Sequence, residues 1–77
     1  MAKLKKFNPH VFARRFQALC QEAGLNQVQL ADKLGLTQAS VSRYLSGAAP
    51  NVSALVLIAQ GFGVSTDWLA GLKDARK

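Results

Sequence analysis

The sequence has 77 residues, room for one domain, and a chain of this size buries roughly 60% of its unfolded surface on folding. Hydrophobic residues make up 49%, enough for one core, while single copies of Cys20 and His10 exclude an internal disulfide and any Cys-x-x-Cys or His-x-x-x-His metal site. The formal charge of +6 is unevenly placed: Lys3, Lys5, Lys6, Arg14 and Arg15 crowd the start of the chain with no acid among them, a balance that suits either a polyanion such as nucleic acid or a solvated tail.

Residues 1–8 read as a basic N-terminal arm. It lacks the apolar run of about 7–15 residues that a signal peptide needs, which predicts a cytoplasmic protein. Asn8 followed by Pro9 is a helix start and Gly24 a stop, so a first helix is predicted over 9–23. Phe12, Phe16, Leu19, Cys20 and Ala23 share its apolar stripe, with Arg14, Gln17 and Gln21 opposite. Asn26 caps a second helix to about Leu34, with Leu30, Ala31 and Leu34 facing inward and Gly35 ending it. After a short connection Thr37 caps a third helix, from Gln38 to about Ser46, closed by Gly47. Two short helices joined by a glycine-containing turn make a helix-turn-helix.

Asn51 caps a fourth helix in which Val52, Leu55, Ile58, Ala59 and Phe62 form the predicted inner stripe, ending near Gly63. Ser65 caps a short fifth helix containing Trp68 and Leu69. The domain is expected to span 9–71, leaving 72–77 as a short basic C-terminal tail. No alternating strand pattern competes, so the fold class is all-α with five short helices around one core. Polar residues and glycines interrupt the uncharged stretch after Tyr44 well short of about 20 apolar residues, so no membrane span is expected. His10 lies in a basic stretch, and the acid nearest to it is Glu22. No nucleophile, base and orienting acid can be assembled, so neither catalysis nor a cofactor nor a small-molecule ligand is expected.

The run from Leu25 to Gly47, with Gln27 after the first cap, Ala31 mid-helix, Gly35 in the turn and Thr37-Gln38 opening the next helix, resembles the phage-repressor-like helix-turn-helix family of the lambda and Cro repressors. The likeness continues through Val64–Leu69 and covers about 12–69. It implies a compact five-helix lambda-repressor-like DNA-binding domain whose third helix enters the major groove of double-stranded DNA. Gln38, Ala39, Ser42, Arg43 and Ser46 fall on one arc of that helix, across from Val41, Tyr44 and Leu45. Gln38 is then the leading base reader, Ala39 faces a thymine methyl, and Ser42 and Arg43 reach the next base or, for Arg43, a phosphate. Gln27, at the positive end of the second helix, matches the family glutamine that binds phosphate and braces Gln38, or is a polar helix-start residue only. Asn26, Thr37, Ser46, Lys3, Lys5 and Lys6 complete the expected DNA-backbone set.

In phage members the last helix contributes to a homodimer contact, and Thr66, Trp68 and Leu69 occupy matching positions. Leu57, predicted to point outward, is a second candidate or simply a lone exposed leucine. One departure is clear: the arginine and glutamate that many members pair between the first and third helices are here Cys20 and Leu45, an ion pair exchanged for an apolar contact. The resemblance implies a transcriptional regulator, and with no effector or activation domain expected, a repressor. An antitoxin or controller with a protein partner, and an interaction module that has lost DNA binding, are the alternatives.

Overall fold

The computed structural model describes residues 5–77. Five helices follow in order: α1 Pro9–Ala23, α2 Gln27–Leu34, α3 Gln38–Leu45, α4 Val52–Phe62 and α5 Thr66–Leu69. Each begins at the expected capping side chain. Asn8 Oδ1 accepts from the amides of His10 and Val11, Thr37 Oγ1 from Ser40, Asn51 Oδ1 from Ala54 and Ser65 Oγ from Asp67. Gly35 closes α2 in the left-handed region at φ 70°, and the chain turns there so that Leu36 N–H donates to Ala31 O at 2.9 Å. This tight reversal sets α2 against α3.

The core runs through all five helices. Phe12, Phe16, Leu30, Val41, Ile58 and Leu69 are its fully buried large side chains. Phe12 stacks on Phe16 at 5.6 Å and meets Tyr44 edge-on at 6.3 Å, so aromatic packing ties α1 to the back of α3. Gly61 lets α4 approach α2: a Cβ there would lie 2.4 Å from Leu34 Cδ2.

Two expectations need correction. Ala23 is exposed, at the last turn of α1 before the Gly24 cap. Val52 is 77% exposed although it shares the apolar periodicity of α4. That helix buries Ala54, Ile58 and Ala59, with Leu55 and Phe62 only half-buried, and Val52 stands at its first position, ahead of the buried residues. The C-terminal residues are tied to the body of the domain. Arg76 O accepts from the Ser65 amide, its guanidinium grips the Glu22 carboxylate at 2.9 and 2.6 Å, and Arg15 donates to the Lys73 carbonyl at 2.9 Å. Residues 72–77 form a strap across α1 and α5.

Candidate nucleic-acid interface

α3 presents one face to the core and the other to solvent. Val41 and Tyr44 are buried, Ser40 is half-buried and hydrogen-bonded to Thr37, and Gln38, Ala39, Arg43 and Ser46 are exposed, with half-buried Ser42 between them. At 100° per residue, positions 38, 42, 46, 39 and 43 span one continuous arc, so their outward surface is a single stripe along the helix. It begins with a two-donor, one-acceptor carboxamide and ends with a guanidinium. It holds no acid and no bulky apolar group. A stripe of this composition on a helix held by its opposite face can enter a groove about 12 Å wide and meet base edges without disturbing the fold.

Several expected backbone contacts are already engaged inside the protein. The Asn26 side-chain oxygen accepts from the Gln29 amide at 2.9 Å, leaving only its NH2 group to donate. The Thr37 hydroxyl donates to Ser40 Oγ at 2.9 Å, and Ser46 Oγ donates to the Ser42 carbonyl at 3.0 Å. These three residues shape the helix ends first. Gln27 is half-buried at the first turn of α2, where it borders an apolar hollow of about 460 Å³ with Gln17, Cys20, Leu30 and Leu45. Among the described residues no hydrogen bond joins Gln27 to Gln38. Lys6 is exposed, Lys5 is exposed with its Nζ donating to the Leu72 carbonyl at 3.1 Å, and Lys3 lies outside the described residues.

Arg15, counted with the basic cluster at the start of the chain, belongs instead to the strap. It donates to the Trp68 and Lys73 carbonyls, and its guanidinium lies over the Trp68 ring at 4.9 Å, with that of Arg76 over the same ring at 5.1 Å. Trp68 and Leu69 are accordingly buried in the core and beneath the strap, at 6% and 0% exposure. In the single chain these two residues, expected at a homodimer contact, are covered by the core and the strap. Thr66 is half-buried and Leu57 is 38% exposed.

Sequence reasoning overlooked two polar ties. Gln29 Oε1 accepts from the Asn26 amide at 3.0 Å, so Asn26 and Gln29 form a reciprocal capping box, a pairing that the Asn-x-x-Gln spacing signals. Gln17 Nε2 donates to the Leu45 carbonyl at 3.0 Å, tying α1 to the end of α3. That bond and the contact of Cys20 and Leu45 with the same hollow occupy the place of the missing ion pair. Burial raises the Cys20 thiol pKa to about 11.

A short helix pair locked at a glycine turn, with the second helix exposing a polar stripe, defines a helix-turn-helix DNA-binding domain. The Helix-turn-helix family model (HTH_3) matches residues 16–69, and the chain belongs to this family. The chain is also similar to the HTH-type transcriptional regulator PrtR of Pseudomonas aeruginosa, at 33% identity over 69 residues, 90% of this chain. It spans 27% of that relative's length. No helix among the described residues is long and apolar enough to cross a membrane.

Proposed function

We propose that this chain is a cytoplasmic transcriptional regulator that binds a short operator in double-stranded DNA as a homodimer and represses by occupying it. The observation that carries this reading is the solvent stripe of α3, in which Gln38, Ala39, Ser42 and Arg43 are presented together by a helix whose back is fixed in the core. Gln38 bridges N6 and N7 of an adenine, Ala39 packs on a thymine methyl, and Ser42 and Arg43 serve the next base or a phosphate. Gln27 and the free amide of Asn26 hold the DNA backbone at the start of α2, and Lys3, Lys5 and Lys6 follow it as an arm over residues 1–8. Thr37 and Ser46 act on the backbone only by exchanging their internal hydrogen bonds. The domain proper spans 9–71, with 72–77 its strap. Two copies read half-sites about 34–36 Å apart.

Support for a regulatory role comes from the family and from the similarity to a transcriptional regulator. Selection of bound sequences from a random duplex pool tests the reading. A two-fold symmetric motif is the expected outcome, with affinity falling steeply as salt rises. Failure to retain any duplex at low salt would instead identify an interaction module.

A further inference from the structure

The ends of α1, α2 and α4 meet the strap around a hollow of about 440 Å³, within the range of about 300–1,000 Å³ in which small-molecule sites fall. Its floor is apolar, built from Leu19 of α1, Phe62 at the end of α4 and Val64 just beyond. Its rim is charged. Lys33 comes from the last turn of α2, and Arg76 and Lys77 come from the strap. These parts are far apart in the sequence and meet only in the fold.

Charge decides what the hollow would take. Glu22, the one acid that lines it, is already held by the Arg76 guanidinium at 2.9 and 2.6 Å. Among the described residues no acid lies within ion-pair distance of Lys33 or Lys77. The Lys77 carbonyl accepts from Lys73 Nζ at 2.6 Å, which adds a third ammonium beside the strap. The rim is therefore cationic above an apolar floor, with Lys33 Nζ 5.8 Å from the centre of the Phe62 ring. A lysine in the last turn of a helix also favours the dipole of that helix, but such a role calls for neither an apolar floor nor cations from a second segment. DNA is not the occupant. Leu19 and Glu22 project from the flank of α1 away from Gln17, and Gln17 is the residue tied to the end of α3 through the Leu45 carbonyl. The hollow thus lies on the other side of α1 from the end of α3.

We propose that this hollow binds a small amphipathic monoanion, an apolar chain or ring that carries one carboxylate. The apolar part covers Leu19, Phe62 and Val64, and the carboxylate accepts from the ammonium groups of Lys33 and Lys77. A neutral apolar molecule forgoes both charge-assisted bonds, and a short hydrophilic anion forgoes the floor. Trp68 reports on the site, because the Arg76 guanidinium at its edge lies 5.1 Å from the indole ring. The proposal does not depend on the DNA reading.

The test titrates the full chain with octanoate, octanol and acetate at low salt, followed by isothermal titration calorimetry and by Trp68 fluorescence. Octanoate should bind one molecule per chain with a Kd below about 1 mM and about tenfold more tightly than octanol, while acetate should show no saturable binding. Lys33→Gln should weaken octanoate about threefold to fivefold, and Lys33→Gln combined with Lys77→Gln should erase the preference for the acid over the alcohol. Both positions are exposed, and circular dichroism checks that each variant is folded. Arg14→Gln, an exposed change elsewhere on α1, should leave the octanoate affinity as it is. The proposal is overturned by a wild type that shows no octanoate binding up to about 10 mM or binds octanol equally well. It is likewise overturned if the double variant keeps its preference for the acid, or if Arg14→Gln weakens octanoate as much as Lys33→Gln does, which would reduce the effect to a general attraction of anions to a basic surface.

Discussion

The capping box at the start of α2 offers a quantitative check of how this small domain is held together. Asn26→Ala removes the oxygen that accepts from the Gln29 amide at 2.9 Å. Loss of such a cap costs about 1 kcal/mol, within a range of roughly 0.5–2. Gln29→Ala removes the acceptor for the Asn26 amide at 3.0 Å. Both residues are exposed, so water takes over part of that bond, and alanine regains a few tenths of a kcal/mol in helix propensity. The expected net cost of Gln29→Ala is therefore about 0.5 kcal/mol. In a domain of this size 1 kcal/mol moves the melting temperature by about 4–8 °C, which places Asn26→Ala about 4–8 °C and Gln29→Ala about 2–4 °C below the wild type. Because each bond orders the residue that makes the other, the double variant should lose less than the sum of the two single losses. Asn26→Ser, which keeps an accepting oxygen, should recover most of the stability. Thermal denaturation followed by circular dichroism measures all four. A wild-type melting temperature for Gln29→Ala, or strictly additive losses, would refute the reciprocal cap.

Cys20, whose thiol pKa burial raises to about 11, should resist alkylation at pH 8 in the folded protein and react only through unfolding. Its thiol ionises in the unfolded chain from about pH 9 but not until about 11 in the native one, so stability should fall across that interval, and Cys20→Ala should show a shallower fall in urea titrations. Gly61→Ala should lower stability despite gaining about 1 kcal/mol in helix propensity, because forcing Leu34 off its position in a packed core costs about 1–3 kcal/mol; equilibrium urea unfolding decides the sign. Deleting residues 1–6 should flatten the slope of log affinity against log salt by about 0.9 for each lysine that meets a phosphate, leaving sequence preference intact. An unchanged slope in filter-binding or fluorescence titrations would reduce the arm to a soluble extension.

The helix boundaries were legible because their signals are local. Asn8 with Pro9, Asn26, Thr37, Asn51 and Ser65 each bond an amide two or three residues on, and glycines at 24, 35 and 63 take up the left-handed conformation that ends a helix. The inner face of α3 was equally readable, since polar and apolar residues alternate cleanly around it. α4 was not. Its residues are apolar on every side, so periodicity could not distinguish the buried Ala54 from the exposed Val52. The strap was invisible for another reason: Arg76 meets Glu22 across 54 positions and Arg15 meets the Trp68 carbonyl across 53, and charge counting assigns such groups to solvent or to a ligand. For the same reason no local signal showed that the strap covers Trp68.

The central claim is that the solvent stripe of α3 reads base edges, with Gln38 as its leading reader while Gln27 serves the DNA backbone. Binding of the wild type, Gln38→Ala and Gln27→Ala to the selected operator and to each of its single-base variants tests this most directly. Gln38→Ala should lose about 1–3 kcal/mol on the preferred sequence and relax selection at one A·T pair in each half-site. Gln27→Ala should weaken all sequences together. If Gln38→Ala leaves every base preference of the wild type in place, α3 does not meet DNA in this register and the interface described for it is wrong.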